Sequence, residues 1–548
     1  MSKKTLVDSL RAPPAETGVF GNPTASGVEE AQSFLEARIS CDDNGTALKQ
    51  EASKLASTCA RALGTHLQAE YWTSVSVTNR YVAGALSTYL VTDHPMLRLF
   101  DTEAFLNELL QKKSEFCSAF LVNSLLALAS QSYSRTDPSA ASKSLEFEQE
   151  ARMLWRADAD DSLPNLAGLV LLYIAMANNG TGGQGAVSYL FEAVEMAKRL
   201  QLFGVHDRIT SSDQLQLTEQ AQYAFRQTAW GVFNVLSLCI HHWIISPISN
   251  PPDLPIPDKP DAVIFDETLQ RFERIKGKIT PDDEAYISLC KLYRADLPAL
   301  TVLRDPDLKV TPPPAFAFSR YKKLLDLLEN LPESVRHVDN APGSALIFHM
   351  SFHRYVIDLF RPYFVHGKKP TSSFEHPEYG TPGNIYRAST KQLKSLLVEY
   401  SALQDFSHGM MWHPTLLYTA TGVLEFAPSD DWRFFFLLCI HCYAALYDAY
   451  TFAESAIQSL LAIALDYNRI TNNEAANIVE TTLHRREKYR RANKYAEGRP
   501  GGTQNAKLTM SEHEMQATEV LLEKFQNLSI FDQFSTIVLY GPTGQMVK

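Results

Sequence analysis

The sequence predicts an all-α fold, and three observations carry that prediction. From Asn79 onward, apolar residues recur at spacings of three and four with few interruptions. Alternation of period two bounded by turn dipeptides is scarce, which argues against a major sheet. The densest proline cluster, Pro247 to Pro257, lies between helical runs and reads as an extended strap.

At 548 residues the chain exceeds what one hydrophobic core usually serves, so two or more packed units are expected. Residues 1–74 form a weakly patterned segment broken near its start by Pro13, Pro14, Gly18, Gly21 and Pro23. Short helices are expected there within Gly27–Ile39 and Thr46–Leu63. A first helical half, residues 75–265, follows. Phe116–Ser132 places apolar residues at helical spacing throughout, and Ser139–Trp155 carries a weaker stripe of Leu145, Met153 and Leu154. Leu163–Ala177 is apolar nearly all round, as a fully buried helix would be. Gly185–Leu202 is amphipathic, with Val187, Leu190, Phe191, Val194 and Met196 on one side, and Leu217–Ile245 runs up to the proline strap.

The second half, residues 266–470, is expected to hold helices at Glu284–Val302, Ala317–Leu331, Ser344–Phe364, Ile385–Ala402 and Trp432–Ala464. A C-terminal tail, residues 471–548, opens with a helix over Glu474–Tyr495. The stretches 366–384 and 497–508 read as mobile loops, the first places a protease should cut. No self-similar repeat of fixed period is evident, which weakens a solenoid reading.

Charge limits the functions open to the chain. Its net charge of −11 leaves no clustered basic field of the size that unaided binding to duplex DNA requires. The seven cysteines (Cys41, Cys59, Cys117, Cys239, Cys290, Cys439 and Cys442) are odd in number and mostly far apart, which suits a reducing compartment. The N-terminus lacks an apolar core of signal-peptide length, and the strongest apolar run, Phe434–Tyr447, is too short to span a bilayer. An intracellular protein is expected.

Several motifs suggest chemistry, and each has a plainer reading. Gly180, Gly182 and Gly185 satisfy G-x-G-x-x-G, with Asp207 placed where a ribose acid would be. The run before them is about twice a strand's length and no βαβ alternation surrounds it, so glycines joining two antiparallel helices explain the motif better. His349 and His353 have the spacing that puts two imidazoles on one metal, but no third ligand or intervening glutamate accompanies them. Cys439 and Cys442 sit in the most apolar helix, where buried thiols pack as small hydrophobes. The acid pairs Asp160–Asp161 and Asp430–Asp431 stand at expected helix starts and suit the helix dipole. No P-loop, G-x-S-x-G elbow or zincin motif occurs, so no catalytic residue and no resident cofactor is assigned. The 11% aromatic content allows an aromatic-lined effector pocket, with ordinary core packing as the alternative. The one basic cluster comprises Arg485, Arg486, Lys488, Arg490, Arg491 and Lys494. It reads as a solvated helix end, or as a nuclear-import address or acidic-partner site.

Six segments in order resemble the middle homology region of fungal zinc-cluster transcription factors. They are 93-DHPMLRLFDTEAFLNEL-109, 116-FCSAFLVNSLLALAS-130, 185-GAVSYLFEAVEMAKRLQLFGVHD-207, 229-AWGVFNVLSLCIHHW-243 with its strap 251-PPDLPIPD-258, 320-RYKKLLDLLENLPESV-335 and 349-HMSFHRYVIDLFRPYF-364. The last three are similar to the subgroup that includes nitrogen-assimilation regulators, and the resemblance spans roughly residues 75–455. It implies a large all-α regulatory domain in the nucleus, working through protein partners, as homo- or heterodimer, or through a small-molecule effector. It also gives the decoys a structural meaning: His349 and His353 fall on the family's His-x-x-x-His helix, and Gly180–Gly185 on its inter-helix turn. Family members bind two zinc ions through six crowded N-terminal cysteines, whereas the first 75 residues here hold only Cys41 and Cys59. Either the exon for that cluster is missing from the gene model, or the protein regulates through partners alone. An α-helical enzyme and a non-nuclear scaffold are the readings from other classes.

Overall fold

The computed structural model describes residues 57–484, less 58, 158–159, 182, 204–217, 241–247, 249, 276, 278, 304–311, 337–340, 364–374, 404–408, 426–430 and 448. The expected helix Gly27–Ile39, all but the end of the one at Thr46–Leu63, the basic cluster 485–494 and the second expected loop, 497–508, lie outside the described residues, as do residues 366–374 of the first loop; the rest of that loop holds the His376–Gly380 bridge and the helix start at Pro382. The fold is all-α, as the periodicity predicts. Among the described residues, extended structure amounts to one two-stranded hairpin, Val263–Asp266 paired antiparallel with Arg271–Arg274, and one isolated bridge. The chain divides into two compact units near Thr415, described below one at a time.

In the first unit, short polar side chains start the helices. Thr78 accepts the Tyr81 amide before Asn79–Thr92, and Asp101 accepts that of Ala104 before Thr102–Gln111. Ser118 likewise caps Ala119–Tyr133, and Ser162 caps Leu163–Asn179 with Pro164 in its first turn. Each such cap satisfies an amide that would otherwise lack a partner, worth about 1 kcal/mol. Helix ends fall where the backbone turns left-handed, at Arg98, Lys112 and Gly180.

The centre of this unit is the Ala119–Tyr133 helix, buried from Phe120 to Ser132. It packs against Asn79–Thr92, Ala140–Ala157 and Leu163–Asn179. A Cβ at Gly168 would lie 2.7 Å from the Phe120 ring, so glycine there permits the close approach of two buried helices. The buried amide side chains of the Ala119–Tyr133 helix are matched: Asn123 donates to the carbonyls of Trp72 and Ala119 and accepts from Thr73, and Gln131 donates to the Ala175 carbonyl. Gly183–Arg199 packs on Leu163–Asn179. Glu219–Ile240 then leads through the proline strap and the hairpin to Pro281–Leu303. That helix packs with Pro314–Glu329 and Gly343–Phe360, and the last of these packs with Pro382–Ala402.

Two helix expectations need correction. The single helix expected over Trp432–Ala464 is a pair, Trp432–Leu446 and Phe452–Asp466, in the second unit. No proline or glycine marks the break; the chain turns on backbone bonds from Ala449 and Tyr450 to the Leu446 carbonyl, with Tyr450 buried. The helix Gly409–Glu425 went unanticipated and carries Pro414 inside it. The C-terminal helix starts at Asn472 behind a capping box of Thr471 and Glu474, and widens into a π turn over Glu480–His484. Among the described residues, no helix is long and apolar enough to cross a membrane.

Candidate functional site: a buried charge network beneath the strap

The densest polar feature of the first unit grows from the 93–109 segment. Asp93 begins a four-residue helix, His94–Leu97, that ends at Arg98 with φ of 43°. That left-handed turn sends the next residues straight into the Asp101 cap, so His94, Arg98, Asp101 and Thr102 all turn inward and are buried. Their partners come from the strap and from the start of the Pro281–Leu303 helix.

Asp261 sits at the centre. Its Oδ2 lies 2.8 Å from His94 Nε2 and accepts the Thr102 hydroxyl at 3.0 Å. Its Oδ1 lies 3.6 Å from Arg274 Nη1. Arg98 Nη2 donates to Asp283 Oδ1 at 2.6 Å, and the guanidinium stands 4.6 Å from the Tyr286 ring centroid. Arg274 bonds Asp101, reaches Glu103 at 3.5 Å and stacks 4.4 Å from the Tyr223 centroid. Asp283 also accepts the Thr280 amide and hydroxyl at 2.7 and 2.6 Å.

The electrostatics follow from this placement. Burial opposes ionisation of Asp261, but His94, by charge and hydrogen bond, then Arg98 and Arg274 outweigh it and hold the carboxyl well below the usual range. Burial likewise works against the charge on Arg98, and Asp261 and Asp283 overcome it, so the guanidinium titrates above its ordinary value. Burial raises Asp101, offset in part by Arg274 and the Ala104 amide. Each buried charge thus has a partner of opposite sign, the condition under which ions survive inside a protein.

Around this core the strap is fastened by further bonds. Trp230 Nε1 donates to the Leu254 carbonyl at 2.9 Å, Tyr223 to that of Lys259 at 3.1 Å, and Arg274 to that of Pro260 at 2.8 Å. A Cβ on Gly231 would come within 2.3 Å of the Arg98 carbonyl, so the Glu219–Ile240 helix meets the Arg98 turn backbone to backbone. The network's charges are buried or half-buried and paired with one another. Its chemistry is that of a fastener, locking residues 94–102 to residues 261–283.

The motifs singled out in the sequence take ordinary places. Gly180 caps a helix in the left-handed region, and Gly185 lies in the first turn of the next; Gly182 and Asp207 fall outside the described residues. His349 and His353 are buried on one helix: His349 Nε2 meets the Val335 carbonyl at 2.8 Å, while burial, then His349, lowers the His353 pKa to about 3. Cys439 and Cys442 are buried, and Asp161 pairs with Arg199 at the surface. Asp431 precedes Trp432–Leu446 without a side-chain cap bond. Among the described residues, no three His, Cys, Asp or Glu side chains gather as a metal ion would need. Burial drives Cys239 and Cys290 up to about 12, which keeps them as thiols rather than thiolate ligands. The described residues therefore do not fit the family's zinc cluster.

A shallow cavity of about 360 Å³ lies between Pro281–Leu303 and Pro314–Glu329, lined by Ser288, Lys291, Arg294, Asp326, Asn330 and Leu331 among others. No aromatic side chain lines it, unlike the effector pocket that the composition allowed.

Sequence reasoning quoted His94, Arg98, Asp101 and Thr102 inside a motif but gave them no role, and it missed Asp261, Arg274 and Asp283 altogether. No local signal marks those three, because their partners stand up to 185 residues away.

The notoamide biosynthesis transcriptional activator notL' of Aspergillus versicolor is 27% identical over 191 residues, 34% of this chain and 30% of its own. The nitrogen assimilation transcription factor nirA of Emericella nidulans is 24% identical over 361 residues, 61% of this chain and 39% of its own. The matched stretch thus spans well under half of either relative. No family model matches the chain, and no solved structure matches it. With its all-helical fold and these two similarities, the chain is a distant homologue of fungal transcription factors.

Proposed function

We propose that this chain is a transcriptional regulatory domain that acts in the nucleus through protein partners or a small-molecule effector, and that it is not an enzyme. The observation that carries the reading is the similarity to the nitrogen assimilation factor, which extends over 61% of the chain. The charge network supports it, since the segment quoted for the family resemblance, 93–109, supplies His94, Arg98, Asp101 and Thr102 to one structural core. In this reading residues 75–265 and 266–470 are two halves of one regulatory region. Residues 471–548 are its tail, with Arg485, Arg486, Lys488, Arg490, Arg491 and Lys494 as the import or acidic-partner cluster.

Contact with DNA is assigned to a partner or to a zinc cluster outside these residues. A net charge of −11 repels phosphate at long range, and a short basic cluster neutralises few phosphates. The test fuses the chain to a foreign DNA-binding domain in a reporter strain and, separately, mixes the chain alone with promoter DNA at physiological salt. A change in reporter output with no shifted DNA band is expected. A silent reporter, despite import and stable expression, removes the regulatory reading; tight binding by the lone chain removes the indirect one.

A further inference from the structure

The two edges of the Val263–Asp266/Arg271–Arg274 hairpin are treated differently. In an antiparallel pair, residues alternate between exchanging backbone bonds with the partner and pointing those groups away. The register pairs Val263 with Arg274 and Phe265 with Phe272, and Ile275 donates to the Ala262 carbonyl at 2.9 Å. Ala262–Ile275, Ile264–Glu273 and Asp266–Arg271 are then the bonded pairs. The amide and carbonyl of Phe272 consequently face outward on one edge, and those of Val263 and Phe265 on the other.

The Phe272 edge is closed. Asn107 Nδ2 donates to the Phe272 carbonyl at 2.8 Å, and Asn107 Oδ1 accepts the Phe272 amide at 2.8 Å, so one side chain imitates a neighbouring strand. On the other edge no hydrogen bond among the described residues engages the outward groups of Val263 and Phe265. Between them Ile264 is 48% exposed on the outer face. Unpaired strand edges of this kind are templates for another strand, and proteins usually blunt them with charge or proline. Val263–Phe265 has neither.

We propose that this edge pairs with the same edge of a second copy of the chain, about a two-fold axis through Ile264. The sequence around the axis is self-complementary. With Ile264 opposite its own copy, Val263 faces Phe265 and Ala262 faces Asp266, so no like charges meet within Ala262–Asp266. This register uses all the outward groups of Val263 and Phe265 in both copies. A shift that centres Val263 would need Asp261, which is buried and bonded to His94 and Thr102. The product is a four-stranded antiparallel sheet made of two hairpins. An edge this short buries little area, so the dimer is concentration-dependent rather than obligate. The net charge of −11 opposes association, so the dimer strengthens as salt screens it.

The test uses the full chain and the close approach of residues in a non-bonded antiparallel pair, with Cα atoms about 4.5 Å apart, within disulfide reach. Ile264→Cys under mild oxidation should cross-link into a covalent dimer well beyond the untreated sequence. Thr268→Cys, at the hairpin tip and away from the axis, should not. By sedimentation, the natural chain should show a reversible dimer favoured by salt, and Ile264→Lys should weaken it at least about tenfold with an unchanged circular dichroism spectrum. A natural chain that stays monomeric at high micromolar concentration overturns the proposal, leaving the edge to a different strand. So does a dimer that ignores Ile264→Lys, or one in which the Ile264→Cys thiols fail to join.

Discussion

Arg98 and Asp283 stand 185 residues apart in sequence and 2.6 Å apart in space, both nearly excluded from water. Removing one charge of such a pair strands the other in a medium that solvates it poorly. Asp283→Asn is therefore expected to cost about 3–5 kcal/mol in urea unfolding. Glu146→Gln, which breaks an exposed pair with Lys143, should change stability by less than about 1 kcal/mol. Equal losses in the two variants would show that the buried pair does not hold the strap.

His353 gives stability a dependence on pH. Burial lowers its pKa to about 3 in the folded chain, against about 6.5 in the unfolded one. A depressed histidine stabilises the fold fully above the unfolded value, and that contribution drains away as pH falls toward the folded value. Replacing the ring in His353→Leu should flatten the fall in stability between about pH 6.5 and 4.5 by up to about 1.4 kcal/mol per pH unit. An unchanged slope, measured by urea midpoints across that range, would mean the imidazole is already protonated inside.

Asp261 acts in a lower window. Its folded pKa is depressed, so its stabilisation is present above the unfolded value of about 3.9 and is lost as pH falls further. Asp261→Asn should thus be markedly less stable than the natural chain at neutral pH. The gap should narrow below about pH 4, where the carboxylate of the unfolded chain begins to take up its proton while the folded one stays ionised. A gap that is the same at both pH values would assign the loss to packing rather than charge.

Two glycines in helices should respond in opposite directions. The Gly231 position has backbone oxygens of Arg98 and Leu97 at 2.3 and 2.8 Å from a built Cβ. Gly231→Ala must push the Arg98 turn away, at a cost of about 1–3 kcal/mol or more. At Gly422 nothing lies within 4 Å, so alanine there should stabilise its helix by about 0.5–1 kcal/mol. Thermal unfolding of the two variants checks both signs.

What the sequence made legible was local. Leu163–Asn179 and Ala119–Tyr133 announce themselves by apolar residues all round, because a buried helix must satisfy every face. The break near Tyr450 was illegible: the turn residues there are not the usual helix breakers, and packing of a buried tyrosine decides it. The Gly409–Glu425 helix was not anticipated either, and it carries Pro414, which a helix tolerates where neighbours absorb the lost bond. At the charge network, His94 and Asp101 lay inside a conspicuous motif, whereas Asp261 and Asp283 stood in none. Only tertiary pairing distinguishes a solvated aspartate from a buried one, and one sequence carries no record of it.

The separation of Arg98 from Asp283 also has a meaning in time. A ribosome adding about 5–20 residues per second needs roughly 10–40 s to travel from one to the other. Throughout that interval the His94–Asp101 turn exists without the carboxylates that make its burial tolerable. The helices between them, Ala119–Tyr133 and Leu163–Asn179 included, are synthesised first and can collapse around a seat still vacant. The strap is made only after those helices, and a nascent chain stalled before residue 261 would carry an unneutralised arginine that invites chaperones.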